Sequence, residues 1–127
     1  MRFVWIAAGG ALGSAARWGV AQAFAGAGGP WPFATLLVNG AGAFALGWLY
    51  ARASDRDKRS PAYQAAAAGF LGAFTTMSAF GLEAWTMLEG ERYGLAAAYI
   101  ALTAAVGPPL ARAGLRLGAL RRGEAAP

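Results

Sequence analysis

The chain has 127 residues, enough for one domain, and is 57% hydrophobic with only 13% charged residues, a balance that makes lipid its solvent and argues against a soluble enzyme. It has no Cys and no His, which removes disulfides, thiolate metal sites and the commonest general base, and with them most hydrolytic chemistries. The formal charge of +5 is spread over short basic clusters between apolar stretches, a pattern of membrane flanks and not of a nucleic-acid surface.

Four apolar stretches, near 3–24, 33–51, 62–88 and 94–112, each approach or exceed the ~20 residues needed to cross a ~30 Å hydrocarbon core. The expected fold is therefore an all-α membrane protein, one domain over residues 1–127 with four transmembrane helices. The first stretch lacks the short apolar core and small-residue cleavage site of a signal peptide, so it reads as a retained helix. Within it, Gly9-x-x-x-Gly13 is a small-residue packing motif. Arg17 follows, and a charge at mid-membrane costs on the order of 3 kcal/mol on insertion scales. It either snorkels to the headgroups or serves in a vestibule or as a helix cap. Gly and Pro between Gly26 and Pro32 make a tight connection in which Trp31 anchors at the interface.

In the second stretch Asn39 is followed at helical spacing by Gly42, Ala43, Leu46 and Gly47, so its amide lies on a mostly small face that another helix can approach. That amide is either an interhelical hydrogen bond or part of a pore. The connection from Arg52 to Ser60 holds Asp55, Arg56, Asp57, Lys58 and Arg59 and is aqueous; Pro61 suits the first turn of the next helix.

The third stretch would be about 40 Å long as a single helix. Gly69, Gly72, Thr75, Thr76 and Ser78 cluster in its middle, where an interruption is expected. An interruption inside a membrane frees carbonyls that must face protein or a cavity, and such carbonyls are natural ligands for a desolvated cation. The hydroxyls of Thr75, Thr76 and Ser78 can donate to an anion, and an aromatic ring such as Phe80 presents a positive edge. The alternative is a hydroxyl-rich kinked helix with no ion at all. Glu83, near the end of this stretch, is interfacial or functional. Pro108 and Pro109 are expected to kink or end the fourth helix, with the tail from Arg112 leaving the membrane as a short amphipathic or frayed segment.

Charge is unevenly placed. The side with both termini and the second connection holds Arg2, Arg52, Arg56, Lys58, Arg59, Arg112, Arg116, Arg121 and Arg122, whereas the other side holds Arg92 alone. The positive-inside rule puts both termini in the cytoplasm, in a multi-pass protein of the inner (plasma) membrane.

Three segments resemble the CrcB or Fluc family of fluoride channels: Gly9-Gly-Ala-Leu-Gly-Ser-Ala-Ala-Arg17-Trp, Pro32-Phe-Ala-Thr-Leu-Leu-Val-Asn39-Gly-Ala-Gly-Ala-Phe, and Gly69 through Glu83. The resemblance implies an antiparallel, dual-topology-like dimer with two pores that passively exports fluoride and relieves its toxicity. It also implies a structural sodium ion at the dimer interface, held by the main-chain carbonyls of Gly72 and Thr75. Asn39 and Phe80 match pore-lining positions, and Arg17 and Glu83 match the family's helix 1 arginine and helix 3 glutamate. Thr76, Ser78 and Thr103 stand as hydroxyl donors. Selectivity would follow from dehydration, since a narrow site excludes large halides while fluoride accepts several short hydrogen bonds.

The chain departs from that pattern at several positions. Met77 replaces the first pore phenylalanine, Ala79 replaces the usual threonine before the second, and Ala34 replaces a glycine in helix 2. The charge imbalance is also unusual for a protein that inserts both ways. Together with Met77 it admits a heterodimer with an oppositely oriented homologue, although a homodimer is the favoured assembly. Among other functions, a small multidrug-type proton-coupled exporter would want a carboxylate in helix 1, where this chain has none. A small lipid kinase would need acidic metal ligands that Glu83, Glu89, Glu91, Asp55 and Asp57 do not assemble, and a non-transporting membrane subunit remains as a further alternative.

Overall fold

The computed structural model describes residues 2–26, 29 and 31–120, and no strand forms among them. Helix α1 (Arg2–Phe24) is followed by α2 (Phe33–Arg52) and by the single turns α3 (Asp55–Lys58) and α4 (Pro61–Gln64). A π-helical segment, Ala65–Leu71, leads into the short α5 (Gly72–Phe74), then α6 (Met77–Glu89) and α7 (Tyr93–Leu120). Among the described residues three spans are long and apolar enough to cross a membrane: Phe33–Arg52, Pro61–Glu89 and Tyr93–Leu120. Helix α1 has 23 residues, about 34 Å of rise, but Arg17, Ser14, Gln22 and its glycines keep it outside that set.

The apolar surface is inverted relative to a water-soluble bundle. Phe3, Trp5, Leu12, Trp18, Trp85 and Leu120 are all exposed, while glycines and alanines fill the contacts between helices. In lipid the large side chains lose nothing by facing outward, and association is driven instead by close backbone packing. Gly9 and Gly13 of α1 lie directly on the backbones of Ala65 and Phe70, and Gly69 lies on Ile6 and Gly10. The π-helical turn is the surface those glycines meet. Gly47, Gly114 and Gly118 do the same between α2 and α7.

These contacts fix the directions. Residues 9, 13 and 17 of α1 meet residues 65, 70 and 73 in the same order, so α1 runs parallel to the third course. Gly40 meets Leu110 and Gly118 meets Ala51, so α2 and α7 also run parallel. The α1–α2 and α6–α7 connections consequently share one end. The core cluster of Ala84, Met87, Ala96 and Tyr99, with Trp31, Leu36, Phe80 and Leu95 packed against it, lies toward that end.

Helix α7 differs from expectation. It passes through Pro108 and Pro109 and continues to Leu120, eight residues beyond the anticipated end near 112. Each proline removes an amide hydrogen from the ladder. Gly114 and Gly118 nonetheless bring the next two turns into contact with Phe44, Trp48 and Ala51, and this packing on α2 carries the helix onward. The rest of the anticipated tail, with Arg121 and Arg122, lies outside the described residues, as do Ala27, Gly28 and Pro30 of the first connection and the side chain of Arg2.

Candidate functional site

Between α5 and α6 the backbone leaves the helix for two residues: Thr75 has φ −80° and ψ 161°, and Thr76 has φ −152° and ψ 125°. Each step diverts hydrogen bonds. In a continuous helix the amide of Thr76 would reach the carbonyl of Gly72, but here it donates to Asn39 Oδ1 at 2.7 Å. Asn39 Nδ2 in turn donates to the Thr76 carbonyl at 2.8 Å, so the asparagine pairs with this one residue as a neighbouring strand would. The amide of Ala79, which would reach the Thr75 carbonyl, donates instead to Thr76 Oγ1, making Thr76 the N-cap of α6. The carbonyls of Gly72 and Thr75 thereby lose their helical donors. Arg17 Nε reaches across from α1 to the carbonyl of Ala73 at 3.0 Å, so its guanidinium caps the end of α5.

A cavity of about 490 Å³ lies against this interruption. Asn39, Gly72, Thr75, Thr76, Met77 and Thr103 line it, together with apolar residues including Leu36, Leu46 and Leu71. Six of the residues singled out in the sequence thus share one space. Met77, although on this lining, is 74% exposed. Ser78, also exposed, shares a hydrogen bond of 3.2 Å with Thr76 Oγ1.

Hydroxyl bookkeeping narrows what this lining can donate. Thr75 spends its hydrogen on the Leu71 carbonyl and Thr103 spends its own on the Tyr99 carbonyl. The Thr76–Ser78 pair uses one of its two hydroxyl hydrogens, so one is left over. The second Nδ2 hydrogen of Asn39 and the first amides of α6, those of Met77 and Ser78, complete the set, the amides lacking intrahelical acceptors by geometry. A helix N-terminus also carries partial positive charge, so every one of these groups favours an anion.

Phe80 lies elsewhere. Its ring tilts against Tyr99 of the core cluster with centroids 5.1 Å apart. Tyr99 is fully buried, and its hydroxyl donates to Glu83 Oε2 at 2.7 Å, while Thr35 Oγ1 donates to Glu83 Oε1 at 2.7 Å. Both carboxylate oxygens of Glu83 are therefore engaged by hydroxyls from α2 and α7. Thr35 and Tyr99 were not singled out from the sequence. A threonine and a tyrosine in apolar helices read as packing or interface residues until their common partner is seen. A second cavity, about 350 Å³, is lined by Gly29, Trp31, Pro32, Leu82, Glu83, Thr86, Met87 and Arg92. It opens where the two connections meet. Among the described residues no group of three or more acidic side chains gathers to hold a metal ion, so a cation here would depend on neutral oxygens.

Known proteins resemble this chain over most of its length. Residues 4–115 match the family profile described as CrcB-like protein, Camphor Resistance (CrcB). A protein of Cereibacter sphaeroides named fluoride-specific ion channel FluC is 38% identical over 125 residues, covering 95% of this chain and 90% of its own. One of Thermus thermophilus with the same name is 38% identical over 120 residues, 92% of this chain and 93% of its own. One of Mycolicibacterium paratuberculosis, fluoride-specific ion channel FluC 1, is 40% identical over 104 residues, 79% of this chain and 76% of its own. With a profile match over most of its length and relatives this similar across both chains, the protein belongs to the CrcB family.

Proposed function

We propose that this chain is the subunit of a fluoride-selective channel that lets fluoride leave the cytoplasm passively across the inner membrane. The observation that carries the reading is the pairing of Asn39 with the Thr76 backbone. It holds open a helix interruption whose remaining donors, the start of α6, one hydroxyl hydrogen and one amide hydrogen, all suit a small anion. None of them is a full positive charge, and conduction needs binding weak enough for release. That the anion is fluoride rests on the names of the relatives.

The chain would cross the membrane four times, with its third course interrupted near mid-membrane and its termini in the cytoplasm. Two copies would associate antiparallel, so that Met77 and the 490 Å³ cavity face the partner and two pores run along the interface. Asn39, Thr76, Ser78, Phe80, Met77 and Thr103 are the pore residues of this reading; Phe80 lies off the cavity, against Tyr99, and Thr103 could serve only as an acceptor while its hydrogen remains on Tyr99. Arg17 acts as a cap on α5 and Glu83 as the acceptor that orients two hydroxyls.

The residues fit a structural sodium ion. Gly72 and Thr75 both border the cavity, and both carbonyls have had their helical amides diverted, to Asn39 and to Thr76 respectively. Hard oxygen donors of this kind suit a hard cation. Bound there, the ion would supply fixed positive charge that joins the two interruptions.

A heterodimer with an oppositely oriented homologue is the second reading, favoured by Met77 in place of a ring and by the concentration of basic residues at one end. Efflux from liposomes containing the purified chain alone tests both. Fast fluoride efflux without chloride efflux, lost on replacing Asn39 or Phe80, supports the homodimeric channel. Efflux only after an oppositely oriented homologue is added supports the heterodimer. Normal flux with both residues replaced would overturn their pore roles, and proton-coupled efflux of a lipophilic cation would replace the channel with an exporter.

A further inference from the structure

Among the described residues, the end of the protomer that carries the second connection holds Arg52, Arg56, Lys58, Arg59, Arg112 and Arg116 against the carboxylates of Asp55 and Asp57. Arg112 and Arg116 belong to this end because Gly47 lies on Ala111 and Leu115 and Gly118 lies on Ala51, which sets the last turns of α2 and α7 side by side. Both carboxylates are spent within the connection. Asp57 accepts from the Ser54 amide at 3.0 Å and from Ser54 Oγ at 2.7 Å, closing the capping box of α3, and Asp55 pairs with Lys58 at 3.6 Å. The guanidiniums of Arg52, Arg56, Arg112 and Arg116 form no ion pair among the described residues. Glu124, in the tail with Arg121 and Arg122, lies outside those residues.

Two of the cations are turned back along α2. The guanidinium of Arg52 lies over the ring of Trp48, one turn earlier, 5.1 Å from its centroid, and the ammonium of Lys58 lies 3.8 Å from the ring centroid of Tyr50. Both rings stand on the last turns of an apolar span, so these cations are held at the boundary between lipid and water instead of reaching into solution. A ring face attracts a cation without using its hydrogen-bond donors, so Arg52 keeps the planar fork that meets a phosphate through two parallel bonds. The connection itself is already ordered: Ser54 and Ser60 cap its two single turns, and Lys58 ties it to α2. A ligand that binds here has little chain left to order.

We propose that the corner between α2 and α3 is a docking site for the headgroup of an anionic phospholipid, with its phosphate on Arg52 and Arg56 and with Arg112 and Arg116 adding to the positive potential. The depth of the cations selects the occupant. An acidic partner in solution would meet side chains that extend away from the membrane, whereas Arg52 and Lys58 are folded back onto rings of a spanning helix, where the phosphates of the adjoining leaflet lie. The inference goes beyond the channel reading and does not depend on which ion the protein conducts.

The test uses the full chain in a neutral detergent, titrated with phosphatidylglycerol or with phosphatidylcholine of the same acyl chains. Bound lipid is counted by native mass spectrometry, and the thermal midpoint is followed in parallel. Phosphatidylglycerol is expected to bind saturably and to raise the midpoint, and phosphatidylcholine to do neither. Its affinity is expected to fall about fivefold in Arg52→Gln or Arg56→Gln and more than tenfold in the double variant. Arg92→Gln removes the same charge from the opposite end of the protomer and is expected to leave the affinity unchanged. Arg56 stands in an exposed turn, so the Arg56→Gln midpoint without lipid should match that of the parent, and loss of binding in that variant cannot come from loss of the fold. Equal binding of the two lipids overturns the site. So does a preference for phosphatidylglycerol that survives the double variant, or one that Arg92→Gln weakens just as much. If inorganic phosphate alone raises the midpoint to the same extent and through the same two arginines, the corner takes a free anion and the lipid assignment is overturned.

Discussion

Asn39 and Thr76 form a closed pair: the asparagine carbonyl oxygen takes the threonine amide at 2.7 Å and its amide nitrogen gives to the threonine carbonyl at 2.8 Å. The two bonds together fix which end of the asparagine amide is oxygen, and they tie α2 to the one place where the third course is not helical. Replacing Asn39 by Ala leaves a backbone donor and acceptor unpaired, with a cost of about 1–3 kcal/mol for each group left buried and unsatisfied. Asn39→Asp keeps the acceptor and loses the donor. The expected order of stability in detergent is therefore parent, then Asp, then Ala. Fluoride flux is expected to fall about tenfold or more in both variants, the factor that accompanies ~1.4 kcal/mol. Equal stability of Ala and parent would show that the pair does not hold the interruption.

Glu83 accepts one hydroxyl on each oxygen, from Thr35 and from Tyr99. Thr35→Val and Tyr99→Phe each remove one donor and leave the other in place. Because both act on a single carboxylate, their effects are expected to be non-additive, with a coupling of about 0.5–3 kcal/mol in a double-mutant cycle of unfolding in detergent. Strict additivity would mean that the two hydroxyls act independently of Glu83.

Helix packing by backbone contact makes an equally specific prediction. A Cβ on Gly13 would run into the Phe70 backbone, whereas one on Gly19 would meet nothing within 4 Å. Gly13→Ala is expected to cost about 1–3 kcal/mol as an overpacked contact between two backbones. Gly19→Ala is expected to be neutral or to stabilise by about 0.5–1 kcal/mol through helix propensity. The paired thermal midpoints separate these outcomes.

Much of this was legible in the sequence, and what was missed has a common cause. Asn39 stood out as an amide on a small-residue face, and the cluster from Gly69 to Ser78 marked the region of the interruption. The partner of Asn39 did not stand out, because it is a backbone group and leaves no side-chain signature. Tyr99 and Thr35 were passed over for a related reason: each is unremarkable alone, and only the fold brings both onto Glu83. The run of α7 on to Leu120 is not legible in the sequence, because Pro108 and Pro109 are strong local signals, while the glycines that hold the following turns against α2 act through a contact distant in sequence.

Sodium makes a prediction independent of any substitution. With the Gly72 and Thr75 carbonyls short of their helical donors, an ion that binds only the folded protein raises its stability by mass action. Exchange of sodium for a bulky organic cation such as N-methylglucamine is expected to lower the thermal midpoint, and added sodium to restore it in a saturable way. A midpoint that follows ionic strength alone, whatever the cation, would remove sodium from the assembly.

Met77 separates the two modes of assembly. It is 74% exposed on the protomer, so Met77→Phe has no core to disturb and is expected to change the stability of the subunit by no more than about 0.5 kcal/mol. Its effect on transport is another matter. A phenylalanine presents a positive ring edge where the thioether presents none, so in a homodimer each pore gains a donor at that station. Fluoride flux through the lone purified chain is then expected to rise at least about twofold, roughly 0.4 kcal/mol off the barrier, with chloride still excluded. If a homologous partner normally supplies the ring, the parent chain alone should conduct poorly and Met77→Phe should make it self-sufficient. If the parent conducts well and the phenylalanine changes nothing, Met77 faces lipid, and the path runs past Asn39 and Thr76 without it.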